Sequence, residues 1–356
     1  MTFAPRPNAV RPRRSRHRLT RGRRSRTRGL VLSAAVAVVV VLLLGSACAA
    51  YLVWSTSASV TRADGVLRPV PPSVARDTVG GENYLVIGSD SRQGPNGAYG
   101  DVEGARSDTT MLAHIAEDGS RVTFVSLPRD SWVDVPACPR GDGTVSEPYR
   151  GMLNSAYATG GAACAVDTVQ RLTGLRVDHY VEFDFAGFSA VVDALGGVDV
   201  AAPDGRAVSD PDSGLEMTAG VNHLDGERAL AYVRARHNLG DGSDLGRVER
   251  QQRFVAAVAH SAATADKLLD PVVVVDLVKA VAEHTTLDTG TRLTELVGLA
   301  RAVSTGSARL VLTTAPIATP DYDPEHDEMH GGGRVLLDAE AGDALYHALA
   351  QDLPVG

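Results

Sequence analysis

Four arginines fall in one short stretch late in the chain. Arg234 and Arg236 lie in Val233-Arg-Ala-Arg-His237, and Arg247 and Arg250 in Asp244-Leu-Gly-Arg-Val-Glu-Arg-Gln-Gln252. A guanidinium is planar and permanently charged, and its paired N–H groups match phosphate oxygens two at a time. The surrounding sequence is otherwise acidic, so something anionic must hold this clump against its own repulsion. A phosphate-bearing ligand is the most economical partner. Gln251 follows Arg247 by one helical turn and can share its face. The competing reading is a salt-bridged surface helix, because Asp244 and Glu249 are close by.

Two acids stand where strands end and begin. Asp90 follows the apolar run Tyr84-Leu-Val-Ile87, and Asp108 precedes the run from Thr109. Carboxylates at adjacent strand termini can converge on a hard cation. Magnesium commonly takes one or two carboxylates, several waters and a substrate phosphate; manganese is the alternative ion. Taken on spacing alone, both acids read better as turn or capping residues. Arg92 and Arg106 sit beside them, and Arg129 ends the next strand. Asn154 reads as a ligand-orienting amide or a helix cap, and His237 as a surface histidine. There is no Gly-x-Ser-x-Gly, His-Glu-x-x-His or Walker sequence, so serine hydrolase, zinc peptidase and nucleotidase chemistry lack support.

The elements that must hold these residues can be read from periodicity. Tyr84–Ile87, Thr109–Ile115 and Arg121–Leu127 predict strands, the last two joined by a turn at Glu117-Asp118-Gly119. Leu153–Ala158 and Ala162–Leu172 predict helices, His179–Phe183 a strand, and Phe185–Leu195 a helix closed by Gly196-Gly197. Val198–Ala201 predicts a strand, and Leu224–Ala235 and Leu245–Ala263 helices. Parts of Leu268–Ala282 and Leu293–Val303 also predict helices, Leu310–Ala315 a late strand, and Asp338–Asp352 a closing helix. Interleaved strands and helices predict a layered α/β domain with helices on both faces. In such folds ligands gather beyond strand ends, where Asp90, Arg92 and Arg129 fall.

Charge divides the chain. Residues 1–28 hold eleven arginines and no acid, while the whole chain carries −8. Residues 29–54 follow with no charge between Leu30 and Trp54. About 20 apolar residues span a hydrocarbon core as a helix. The expectation is a basic cytoplasmic tail (1–28), a transmembrane helix (29–54), an extracytoplasmic Ser/Thr- and Pro-rich stalk (55–82) and a folded domain (83–353). The rival is a cleaved signal peptide, whose apolar region is usually only about 7–15 residues. The tail reads more simply as topology and attraction to anionic membrane lipid than as a nucleic-acid arm. Cys138 and Cys164 then lie on the oxidising side and are expected to pair, with Cys48 inert in the span.

In order, Leu85-Val-Ile-Gly-Ser-Asp-Ser-Arg92, Arg106-Ser-Asp-Thr109, Ser126-Leu-Pro-Arg-Asp130, Leu153-Asn-Ser-Ala-Tyr157, Leu195-Gly-Gly-Val-Asp199, Leu224 to Arg236 and Gly246-Arg-Val-Glu-Arg-Gln-Gln252 resemble the LytR–CpsA–Psr family of cell-wall assembly enzymes. The resemblance runs from about Asn83 to near Leu353. It implies a three-layer α/β/α sandwich with an apolar groove for a prenyl tail. It also implies transfer of an anionic glycopolymer from a polyprenyl-pyrophosphate carrier to the muramic acid C6 hydroxyl of peptidoglycan. By motif, Asp90 and Asp108 would hold Mg²⁺. Arg106, Arg129, Arg234, Arg236, Arg247 and Gln251 would hold the pyrophosphate, with Arg92 and Arg250 in or next to that ring. Met152 stands where relatives often carry lysine, and the nearby Arg150 is a candidate replacement. A non-catalytic prenyl-phosphate-binding regulator and a prenyl-pyrophosphate hydrolase fit the same motifs.

Overall fold

From Tyr84 to Ile87 successive side chains point to opposite faces, as a strand requires. Both faces are apolar, so both must be covered. The computed structural model describes residues 60–89, 107–235, 244–264 and 270–355. The expected tail and transmembrane segment lie outside the described residues. No helix among the described residues is long and apolar enough to cross a membrane.

The main sheet contains β1 (Thr61–Ala63), β2 (Glu82–Ser89), β3 (Ser107–Ile115), β4 (Arg121–Leu127), β5 (His179–Phe183), β6 (Thr285–Asp288) and β7 (Arg309–Thr314). Their order is β1-β6-β5-β2-β3-β4-β7. The helices are α1 (Leu153–Thr173), α2 (Phe185–Ala194), α3 (Gly226–Arg234), α4 (Asp244–Thr264), α5 (Pro271–His284), α6 (Leu293–Ser304) and α7 (Ala339–Ala350). Strand β2 runs parallel to β5, and β4 parallel to β7. Strand β3 runs antiparallel to both β2 and β4. Consequently β2, β4, β5 and β7 end, and β3 begins, at one edge of the sheet.

One sheet face, with Leu85, Ile87, Leu112 and Val125, packs on α1 and α7 through Ala156, Val166, Val169 and Leu349. The other, with Tyr84, Val86, Ala113 and Phe124, meets Val278 and Ala282 of α5 and Leu293 and Leu296 of α6. Full burial of one such aliphatic side chain contributes roughly 1.5–3 kcal/mol. Helices α2, α3 and α4 build a further core with two short antiparallel strand pairs, Val198–Ala201 with Val221–Leu224 and Val208–Asp210 with Leu215–Met217. This is the layered α/β arrangement that the periodicity predicts.

One local feature departs from expectation. Residues 60–81, expected as part of a stalk, are built onto the domain. Thr61–Ala63 pairs with Thr286–Asp288. Arg76 donates to the Thr173 carbonyl at 2.6 Å and pairs with Asp343 at 2.7 Å. A three-residue edge strand held by backbone and arginine contacts leaves no periodic trace in the sequence. As the two predicted helices Leu153–Ala158 and Ala162–Leu172 imply, α1 is interrupted by non-helical backbone at Gly160-Gly161, and Gly161 adopts φ +63°. A Cβ on Gly160 would meet the Cβ atoms of Cys138 and Cys164 at 2.9 Å. The break admits the Cys138–Cys164 disulfide, which joins α1 to the loop before it, as expected.

Candidate functional site

The sheet edge assembles the acid motif first. Strand β3 opens with Ser107 and Asp108, and Ser107 is register partner to Ser89 at the end of β2. Two residues beyond β4, Arg129 places Nη1 2.7 Å from the Asp108 Oδ1. Its Nε lies 3.5 Å from Asp130 Oδ1. Such a charge-assisted bond fixes the orientation of both groups. The Arg129 carbonyl also accepts from the Asn154 amide at 3.0 Å, so the start of α1 braces it from behind. Asn154 is thus a helix-start residue here.

Helices α2, α3 and α4 bring the second set. On α4, Arg247, Gln251, Phe254, Val255 and Val258 all line one cavity. Their spacing of four, three, one and three residues is a single helical stripe. Gln251 donates to Thr109 Oγ1 at 2.9 Å, beside Asp108. Helix α3, capped by Asp225, presents Leu230, Val233 and Arg234 to the same space. The Arg234 guanidinium sits 4.7 Å above the ring of Phe185, a cation–π contact. Phe185 begins α2, whose cap Asp184 accepts from the Gly187 amide.

Between these helices and the sheet lies a cavity of about 650 Å³. Its walls are apolar, from Val86, Met111, Phe124 and Phe183 on the sheet to Phe188, Val191 and Phe254 on the helices. Asp108, Arg129, Arg234, Arg247 and Gln251 also line it. Five of the expected site residues therefore converge on one cavity. Arg250 does not line it. Only 3% exposed, it turns away and donates to the Ala235 carbonyl at 2.8 Å. Arg150 is not at the cavity either; exposed, it pairs with Asp134 at 3.1 Å on the Trp132–Val135/Tyr149–Met152 hairpin. The expected roles of Asp90, Arg92, Arg106 and Arg236 fall outside the described residues.

Asp184, Asp210, Asp212 and Ser213 line the cavity without having been singled out in the sequence. An Asp at a helix start or tight turn looks alike whether or not it faces a cavity, so only the fold separates the two. Tyr180 and Tyr232 are buried in two separate cores and are not among the residues that line the cavity. Burial raises the pKa of both, for Tyr180 with help from Glu182 and Tyr157. Both stay protonated near neutral pH and cannot act as bases. Among the described residues the cavity lining contains no His or Cys, and its donors are oxygens and cations, a set suited to a hard cation and an anion. Among the described residues no three His, Cys, Asp or Glu side chains form a metal cage, and Asp108 is the described half of the expected pair.

A family model described as the LytR_cpsA_psr family matches residues 52–333. The chain is 34% identical over 288 residues to the probable cell wall biosynthesis protein LcpB of Corynebacterium glutamicum, covering 78% of this chain and 63% of that protein. It is 36% identical over 178 residues to a polyisoprenyl-teichoic acid–peptidoglycan teichoic acid transferase TagU of Enterococcus faecalis, covering 50% and 52%. The chain thus spans between about half and just under two thirds of the length of these curated relatives. Among solved structures, TagV of B. subtilis aligns with TM-score 0.58 at 25% identity, covering 78% of this chain and 99% of that one. A LytR-Csp2A-Psr enzyme from Actinomyces oris aligns with TM-score 0.58 at 25% identity, covering 82% and 96%. The matched span takes in the whole sheet edge and the cavity above it, and the chain belongs to the LytR_cpsA_psr family.

Proposed function

We propose that this protein transfers an anionic glycopolymer from a polyprenyl-pyrophosphate carrier to the muramic acid C6 hydroxyl of peptidoglycan. The observation that carries the reading is one cavity with apolar walls and, among the described residues, three arginines in its lining. That pairing suits a long hydrocarbon joined to a diphosphate. The TagU relatives, named as polyisoprenyl-teichoic acid–peptidoglycan transferases, support the same reaction class.

In this reading the prenyl chain lies along the phenylalanine and valine walls, which exclude water from it. Arg129, Arg234, Arg247 and Gln251 hold the diphosphate, together with Arg106, Arg236 and Arg92. The acceptor hydroxyl attacks the phosphorus that bears the glycopolymer, the bond to the lipid phosphate breaks, and polyprenyl phosphate leaves. The hydroxyl proton passes to a carboxylate at the site, Asp108 or Asp90. Phosphoryl transfer depends mainly on positioning and charge stabilisation, which guanidinium groups supply. Magnesium, or manganese in its place, held by Asp108 with Asp90, would neutralise further charge on the diphosphate when bound. The catalytic domain sits outside the membrane and the Arg-rich tail in the cytoplasm, so the tether keeps the enzyme at its lipid-borne substrate.

The test uses the full chain in liposomes with a polyprenyl-pyrophosphate-linked saccharide, peptidoglycan and Mg²⁺. Mass spectrometry should find a phosphodiester on muramic acid, and Asp108→Ala should abolish it while binding persists. Release of polyprenyl phosphate with no sugar joined to peptidoglycan would establish a hydrolase instead. Binding without any turnover would establish a regulator.

A further inference from the structure

We infer that Gln252 is a positioning residue for the transfer reaction: it sets the distance between the arginine-bearing turn of α4 and the strand ends that carry Asp108 and Arg129. The inference rests on the reading proposed above. The Gln252 amide nitrogen lies 3.0 Å from Ser126 Oγ, 2.8 Å from the Thr313 carbonyl and 2.9 Å from Thr314 Oγ1. A carbonyl only accepts, so the nitrogen end of the amide must face Thr313. Ser126 and Thr314 are register partners across β4 and β7. Ser126 stands three residues before Arg129 on the same chain. A shift at Gln252 is therefore passed to the backbone that aims Arg129.

Its neighbour completes the fastening. Consecutive helical residues point about 100° apart. Gln251 reaches Thr109 on β3 while Gln252 reaches β4 and β7. Two adjacent amides thus moor one turn of α4 across three strand ends. On the other side of that turn, Arg250 holds the Ala235 carbonyl, the residue after Arg234. Arg247 stands one turn before Gln251 and lines the cavity. Its reach toward the Asp108–Arg129 pair is fixed by these bonds. Gln252 itself is not in the cavity lining, so it acts through the groups it places.

The experiment compares wild type, Gln252→Ala and Gln252→Glu as full chains in liposomes. Glu keeps the shape but cannot donate when ionised. Three quantities are read: melting temperature, calorimetric affinity for geranylgeranyl pyrophosphate, and kcat and KM for transfer. Misplacing a charge by about 1 Å costs on the order of 100-fold in rate. Both variants should stay folded and bind the pyrophosphate within about threefold of wild type, yet lose roughly 10- to 100-fold in kcat. Thr314→Val, which removes one acceptor, should lose only a few-fold, and it serves as the readout if Gln252→Ala fails to fold. Wild-type kcat in folded Gln252 variants, or losses that only track the folded fraction, would overturn the inference. A wild-type chain that neither binds the pyrophosphate nor transfers would overturn the underlying reading as well.

Discussion

An arginine's consequence depends on where its helix faces, and α4 carries three informative cases. Arg247 is 7% exposed and lines the cavity. Arg253 pairs with Glu249 across one turn at 3.2 Å, with both side chains more than half exposed. Arg247→Ala is expected to weaken geranylgeranyl pyrophosphate binding by about 1.5–3 kcal/mol, the scale of hydrogen bonds to a charged group. Arg253→Ala should change binding negligibly and stability by less than about 0.5 kcal/mol, as an exposed i,i+4 pair does. Titration calorimetry of both variants decides the matter, and equal losses would count against a cavity role for Arg247. The third case, Arg250, marks the limit of sequence reading. Neighbours at i+3 and i+4 flank the same stripe on a helical wheel, so the sequence placed Arg250 beside Arg247 and Gln251. Only the packing of α3 reveals that its guanidinium turns to the Ala235 carbonyl instead.

At the scale of elements, the short strand β6 hangs on one carboxylate. Asp288, 2% exposed, accepts from the amides of Tyr180, Gly290 and Thr291 and from the Thr291 hydroxyl. His179 Nδ1 lies 3.8 Å from it and 2.9 Å from the Thr291 hydroxyl. Burial alone would raise the Asp288 pKa, but His179, Thr291 and the amide donors outweigh it and hold the carboxyl well below its usual range. Burial alone would lower the His179 pKa, but Asp288 and then Glu82 outweigh it and raise the imidazole. The signs follow from linkage. The Asp288 contribution is full above its unfolded value near 4 and is lost as pH falls through its depressed folded value. The His179 contribution is full below its unfolded value near 6.5 and is lost as pH rises through its raised folded value. Stability from the pair should therefore plateau between roughly pH 4 and 6.5. Asp288→Asn should flatten the acid limb and cost about 2–3 kcal/mol at pH 6, because buried amides lose a charged acceptor. Urea midpoints from pH 3 to 8 measure this; an unchanged acid limb in the variant would contradict it. Neither β6 nor β1 was legible in the sequence. Their residues, Thr-Thr-Leu-Asp and Thr-Arg-Ala, carry no usable apolar alternation, unlike β2, β3 and β4, whose apolar runs declared them. The sequence pattern starts the helix at Leu224, which abuts it, yet Leu224 pairs with Val198 as strand, and α3 begins after its cap at Asp225.

At the scale of the whole molecule, the disulfide ties the fold's stability to the redox state of its surroundings. Cys138 and Cys164 are both fully buried, and the crosslink closes a sequence separation of 26. A loop of that size removes about 3 kcal/mol of chain entropy from the unfolded state. The loop also contains the start of α1, where the amides of Leu153 and Asn154 hold the carbonyls of Ser131 and Arg129. Loss of the crosslink should therefore act twice, on stability throughout and on the brace behind Arg129. The Cys138→Ser/Cys164→Ser double variant is expected to melt roughly 6–12 °C lower, about 2–4 °C per kcal/mol for a domain of this size. Below its melting point it should still bind geranylgeranyl pyrophosphate, because the apolar wall and Arg247 belong to other elements. Calorimetric melting and binding on the same sample separate the two effects. Non-reducing mass spectrometry of the wild type should find the two cysteines joined, and a chain made where thiols stay reduced should behave like the double variant. If the reduced wild type melted at the oxidised temperature, the crosslink would be structurally idle, and the stability of this domain would not depend on the redox state of its surroundings.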